Sequence, residues 1–283
     1  MAPASASPTS ERTALLAGWV RRGLEAEPAA WFETTLAAIA REGGERDLAR
    51  AVGLAPRRLG KSDLVLAPGD LERAQALRAG FDPAGLTVDQ AARIAFLLAA
   101  DRGDDAAFAA RLLDLFRTAD VSESVAYLRG LPLFPGGRAL LPVAAEGVRS
   151  AVKPVFEAIA HRNPYPAETF EQGAWNQMVL KALFIGSSLA AILGLGERAN
   201  PELAQVLVDY AHERWAAGRP VSPELWLCVG PFAEGAMLDD LARVLTTGTT
   251  EERAAARAAL QASPSVAAGG ILARHAGGGP RGS

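Results

Sequence analysis

The chain has 283 residues, enough for two domains of roughly 150 residues each or for one array of repeats. Hydrophobic residues make up 49 % and charged residues 22 %, which excludes a disordered chain and supplies ample core material. Lys+Arg 29 against Asp+Glu 32 leaves a net charge of −3, so no global positive field exists to collect nucleic acid or an anionic membrane. Cys228 is the single cysteine. It excludes an internal disulfide framework and any multi-cysteine metal site, and it points to an intracellular, reducing, cytoplasmic setting.

The first residues, MAPASASPTS, are a Pro/Ser/Ala tail expected over 1–10. They lack the basic segment and apolar run of a cleaved signal. A matching tail is expected over 274–283, with an N-terminal helical segment at 11–54 and a helical-repeat domain at 55–273. The longest uncharged stretch, Ala182–Glu197, is broken by Gly186, Gly194 and Gly196. A spanning helix needs about 20 predominantly apolar residues, so no transmembrane segment is expected.

Ala, Leu, Arg and Glu, all strong helix formers, dominate between these ends. Thr87-x-x-Gln90 and Thr249-x-x-Glu252 match the capping box. Asn200-Pro201-Glu202 and Ser222-Pro223-Glu224 place a cap, a proline and an acid in the order a helix start favours. Helices are expected at 11–26, 28–42, 45–53, 70–79, 87–101, 104–117, 121–130, 138–149, 151–161, 167–185, 201–217, 223–229, 235–246 and 250–261. The longest expected loop, Leu54–Asp70, carries Arg57, Arg58 and Lys61 beside Gly60. These three cations are either a solvated loop or an anion-binding site.

No segment alternates apolar and polar residues long enough for a sheet. Val121-Ser122…Gly130-Leu131-Pro132-Leu133-Phe134 is echoed by Val221-Ser222…Gly230-Pro231-Phe232. Helix pairs that bury their apolar faces only by stacking form α-solenoids. The predicted fold is therefore all-α: stacked short antiparallel helix pairs in a HEAT-like α-solenoid, or an irregular helical bundle.

Candidate chemistry centres on Glu157–Gly186. The helix around Trp175, Met178, Val179, Leu183 and Phe184 is apolar almost all round, which predicts burial on most sides. Asn176, Gln177 and Lys181 project from it and predict a polar seam indoors, because an unpaired buried polar group costs about 2–7 kcal/mol. Lys153, Glu157 and His161 lie at successive helical turns. The prolines after Asn163 and Tyr165 predict extended backbone there, a stiff platform for the Tyr ring. Tyr165 and Trp175 offer stacking, and the amides and Lys181 offer orientation, to a small ligand; a rigid interhelix corner explains the same residues. Asp209 and His212, with Glu213 adjacent, share one helix stripe and would hold a divalent cation only if a third ligand such as His161 met them. No metal site is assigned. Gly194-x-Gly196 fits a dinucleotide fingerprint but lacks the flanking strand, and no cofactor is expected.

The blocks AHRNPYPAETFEQGAWNQMVLKALFIG (Ala160–Gly186) and RANPELAQVLVDYAHERWAAGRPVSPELW (Arg198–Trp226) resemble the EboA-type family, with weaker matches at Phe116–Pro135 and Gly80–Leu98. Phe81 and Leu86 stand where that pattern calls for tryptophan. The resemblance implies a helical, HEAT-like protein that moves a metabolite precursor together with other proteins of its cluster. It implies no catalytic residue. Two functions stay open: a non-catalytic binding or scaffolding protein whose partners are a small-molecule metabolite or cluster-encoded proteins, and a metal-assisted or acid/base enzyme working in an interhelical pocket.

Overall fold

A computed structural model of the chain describes residues 8–42 and 44–275. Among them every regular element is helical, and the only strand-like pairing is one bridge between Asp63 and Thr87. The fold is all-α. Two compact units divide between Phe170 and Glu171. The expected tail residues 1–7 and 276–283 lie outside the described residues.

The first unit holds α1 (Pro8–Arg22), α2 (Ala26–Glu42), α3 (Glu45–Leu59), α4 (Asp70–Leu77), α5 (Val88–Ala99), α6 (Asp105–Thr118), α7 (Val121–Gly130), a 3-10 turn at Gly137–Leu140, α8 (Leu141–Arg149), α9 (Lys153–Ala160) and α10 (Tyr165–Thr169). Its organiser is α5, in which Val88, Asp89 and Ala91–Leu98 are all buried. A helix apolar on nearly every side needs neighbours on every side, and α1, α2, α3 and α7 supply them. The closest partner of α5 is α1, four helices earlier in the chain. In a solenoid each helix pair stacks on its sequence neighbours; α5 also packs on a helix distant in sequence.

Three expectations change here. Pro8–Ser10 are already helical, so the tail does not extend to residue 10. The 54/55 domain boundary falls inside α3, which runs on past Pro56 to Leu59. The segment expected as the longest loop is helical to Leu59 and tied down beyond it: Leu64 N–H donates to Leu86 O at 2.9 Å and Val88 N–H to Ser62 O at 2.8 Å. Asp70, fully buried at the start of α4, then accepts from Arg22, from Arg73 at 2.6 Å and from the Ala67 N–H at 2.6 Å.

The second unit holds α11 (Gln172–Phe184), α12 (Pro201–Ala216), a 3-10 turn at Pro223–Leu225, α13 (Trp226–Val229), a 3-10 turn at Gly230–Phe232, α14 (Ala236–Thr247), α15 (Thr250–Ala262) and α16 (Val266–His275). The expected helix 167–185 is two helices, α10 and α11, broken at Phe170 and Glu171, where the backbone is extended. Helix α16 was not expected. Gly269 and Gly270 at its centre lower its helix propensity, and Ala268 and Ile271 bury its inner face all the same. Arg274 and His275 therefore belong to a helix and not to the expected tail.

Candidate functional site

The first unit contains an open groove of about 640 Å³ between α1, α2 and the end of α5. Helix α1 turns Leu16, Trp19 and Val20 into the core. Its adjacent face presents Thr13, Ala14, Ala17 and Arg21 to the groove, and α2 presents Phe32, Leu36, Ala37 and Ala40. Residues three and four apart share a helix face, and alanines at Ala14, Ala17, Ala37 and Ala40 withdraw side-chain volume from both walls. Phe32 is fully buried at the floor, tilted against Phe96 at 5.4 Å.

The rim is polar. Thr9 Oγ1 donates to Asp101 Oδ2 at 3.1 Å, Arg21 pairs with Glu33 at 3.3 Å, and Arg102 donates to the Ile39 carbonyl at 2.7 Å. A volume of this size, an apolar floor and a few convergent polar groups are the usual ingredients of a small-molecule site. Sequence reading counted these alanines only as helix formers; their repetition on facing helices was the available signal.

The residues singled out from sequence are placed as follows. Asn163 is buried and its amide donates to Leu128 O at 2.9 Å and Ala158 O at 3.1 Å, while its oxygen accepts from Tyr165 N–H at 3.0 Å. Tyr165 starts α10 instead of being extended, because Pro166 is well suited to a first helical turn. Its hydroxyl donates to Gly137 O at 2.7 Å, and burial pushes its pKa up to about 12. Both residues thus tie the corner between α9 and α10. Glu157 pairs with Lys153 at 3.7 Å, and His161 caps the end of α9, half-buried.

In the second unit Trp175 is fully buried beneath the Arg198 guanidinium, 4.8 Å from its ring. Asn176 and Asn200 exchange amide hydrogen bonds at 3.2 and 2.9 Å. Gln177 is exposed, as is Phe184 at 60 %. The polar seam expected on this helix is therefore a face that runs from half-buried to wet. Lys181 is half-buried, which lowers its pKa from the usual lysine value.

Asp209, His212 and Glu213 are exposed. Asp209 accepts from Gln205 at 2.8 Å, and His212 Nε2 meets Asp240 Oδ2 at 2.8 Å. Among the described residues no three His, Cys, Asp or Glu side chains are grouped to hold a metal ion. His212 also adjoins Trp215, which stacks on Trp226 at 6.0 Å and lies under Arg243 at 4.4 Å, a ladder joining α12, α13 and α14. Arg57 and Arg58 are not in a loop; they occupy the last turn of α3, where cations complement the helix dipole, with Lys61 just beyond Gly60.

No described helix is long and apolar enough to cross a membrane. No curated protein and no solved structure matches the chain. A family model described as "Metabolite traffic protein EboA" matches residues 12–230, a span that takes in the groove from Thr13 to Arg102.

Proposed function

This chain belongs to the EboA family of metabolite traffic proteins, and from that premise we propose that it is a non-catalytic binding or scaffolding protein. It holds an apolar or aromatic metabolite precursor in the groove between α1 and α2 and passes it on with partner proteins. The observation that carries this reading is the groove itself, about 640 Å³ with Phe32 at its floor and the Arg21–Glu33 pair at its rim. The apolar body of a ligand gains about 25 cal/mol for each Å² it removes from water, and the rim groups fix its polar end. The acid/base alternative finds little support: Asp209 and His212 are exposed, and among the described residues no three His, Cys, Asp or Glu side chains are grouped to hold a metal ion.

The uncharged probe N-phenyl-1-naphthylamine tests the groove by fluorescence. Saturable binding is expected, and Ala37→Trp, which fills the space, is expected to weaken it by about tenfold or more. Unchanged binding in that variant overturns the assignment. Loss of binding in Trp175→Phe or Lys181→Ala, with Ala37→Trp unaffected, moves the ligand to the second unit.

A further inference from the structure

We propose a second ligand site, for the phosphate group of a phosphorylated organic molecule, in the open cavity between α14, α15 and α16 within the second unit. It goes beyond the groove reading and lies after residue 230, where the family match ends. The cavity has a volume of about 700 Å³. Arg253, Arg257, Arg274 and His275 line it with the Thr250 hydroxyl, and Leu245 and Ala254 supply an apolar patch.

The lining contains no carboxylate, and among the described residues the three arginines make no ion pair. Arg253 and Arg257 lie one turn apart on α15, a spacing at which like charges repel. Arg253 also sits close to the positive end of that helix, where the dipole disfavours a cation. The dipole accounts for Arg274 and His275 at the end of α16 but not for Arg253. Glu252, the nearest acid in sequence, is turned back to accept from Thr249 N–H at 2.7 Å as part of the helix cap. His275 is fixed at the rim, Nδ1 against Ile271 O at 2.9 Å and Nε2 against Thr246 Oγ1 at 3.3 Å.

These three exposed arginines face one pocket, and a bound anion relieves their mutual repulsion beyond what water and salt do. Guanidinium forks match the oxygens of phosphate in geometry, and the charge of a phosphate monoester, about −1.5 to −2, answers three arginines better than a single carboxylate does. The volume exceeds what a bare phosphate fills and suits an organic ester, with Leu245 and Ala254 receiving its carbon portion.

Calorimetric titration of the full chain with pyrophosphate and with glycerol 3-phosphate tests this. One saturable site is expected, weakened by about tenfold or more in Arg253→Gln/Arg257→Gln. It should be unchanged in Arg50→Gln/Arg219→Gln, which removes the same charge elsewhere, and in the groove variant Ala37→Trp. Phosphorus NMR line broadening on the wild-type chain, reversed by competing glycerol 3-phosphate, supports the site without any variant. Absence of saturable binding, or equal weakening in the Arg50/Arg219 variant, overturns the proposal. Citrate binding in place of pyrophosphate overturns the choice of phosphate. Arg253-dependent sedimentation with phosphatidylglycerol–phosphatidylcholine vesicles, without binding of either soluble phosphate, replaces the small molecule by a lipid surface and also overturns it.

Discussion

Arg93 donates its Nε–H to the carbonyl oxygen of Val52 at 3.1 Å, and Val52 is the residue four positions before Pro56, inside α3. Proline has no N–H, so the Val52 carbonyl has lost its helical donor. An arginine from α5 replaces it. The same guanidinium pairs with Asp89 at 3.0 Å, both side chains being 1 % exposed, and donates to Ser122 at 2.8 Å. One buried cation therefore repairs a helix and ties α3, α5 and α7 together.

Arg93→Met should consequently destabilise the chain by about 3–5 kcal/mol, since it strands the Asp89 carboxylate and the Val52 carbonyl together. In Pro56→Ala the new N–H can return to Val52, so the cost of losing Arg93 should fall by about 1 kcal/mol in that background. A urea double-mutant cycle measures the coupling. Strict additivity would mean that Arg93 does not serve the proline.

Gly230 packs against the backbone of α15: a Cβ at this position would stand 2.8 Å from both the Cα and the carbonyl oxygen of Ala259. Backbone cannot swing aside as a side-chain tip does. Gly230→Ala should cost about 1–3 kcal/mol through forced separation of the two segments. Gly18, inside α1 with nothing within 4 Å of its added Cβ, is the contrasting case. Gly18→Ala should stabilise by about 0.5–1 kcal/mol. Thermal melts of both variants check the contrast.

Gly130 and Gly230 also show what was legible in the sequence. The Gly130 and Gly230 echo was visible as text, and both glycines stand where a Cβ would collide, Gly130 with the Phe134 ring. Yet the first copy is one helix, α7, and the second is broken into 3-10 and α pieces. Helix class and most starts were readable because caps and apolar periodicity are local; Asn200 accepts from Leu203 N–H at 2.9 Å as its spacing predicts. Burial of polar groups was not readable, because it depends on what packs opposite. Gln177 and Phe184 are exposed although their helix reads as apolar almost all round, while Arg93 and Asp70 are buried although nothing in their local sequence marks them. The groove escaped for a related reason: it is made of missing volume between helices, and only the facing helix turns an alanine into a hollow.

Asp70 links folding to pH. Its hydrogen bond from Arg22, chiefly, holds its carboxyl far below the ordinary carboxylate range, with further donation from the Ala67 N–H and Arg73, against the opposing effect of burial. The unfolded chain titrates this group near pH 3.9, about the free value. Above that pH the pairing contributes fully; below it the unfolded chain takes up a proton first, and stability is lost as pH falls toward the depressed folded value. The difference in urea midpoint between wild type and Asp70→Asn should stay constant from about pH 8 to 5 and shrink below about pH 4. A difference that persists unchanged at the lowest pH would remove the ionised pair as its source.

The reciprocal amide pair of Asn176 and Asn200 joins α11 to the start of α12, and the Asn200 side chain also caps α12 through Leu203 N–H. Asn200→Ala should cost about 1–2 kcal/mol, the loss of a helix cap plus an unpaired amide. Asn176→Ala should cost less, about 1 kcal/mol, because it leaves the cap in place. Chemical denaturation followed by circular dichroism ranks the two, and the reverse order would show that the cap is not the larger contribution.

Cys228 supplies the matching effect on the alkaline side. Its thiol is buried in α13 and burial pushes its pKa up to about 12, as burial does for the Tyr165 hydroxyl. In the unfolded chain the thiol ionises near pH 8.5 and a tyrosine near pH 10. Below pH 8.5 both states keep the thiol proton and nothing is lost. Above it the unfolded chain sheds the proton while the folded chain retains it, so stability falls as pH rises. Wild type should begin to lose stability near pH 8.5, whereas Cys228→Ala should hold until about pH 10, where tyrosines take over. The same burial keeps the native thiol protonated at pH 8, and a thiol is a far weaker nucleophile than a thiolate. Modification by dithionitrobenzoate should then proceed only through unfolding and accelerate in urea in proportion to the unfolded fraction. Rapid modification of the native chain, together with an alkaline onset that Cys228→Ala fails to move, would place that sulfur in contact with solvent.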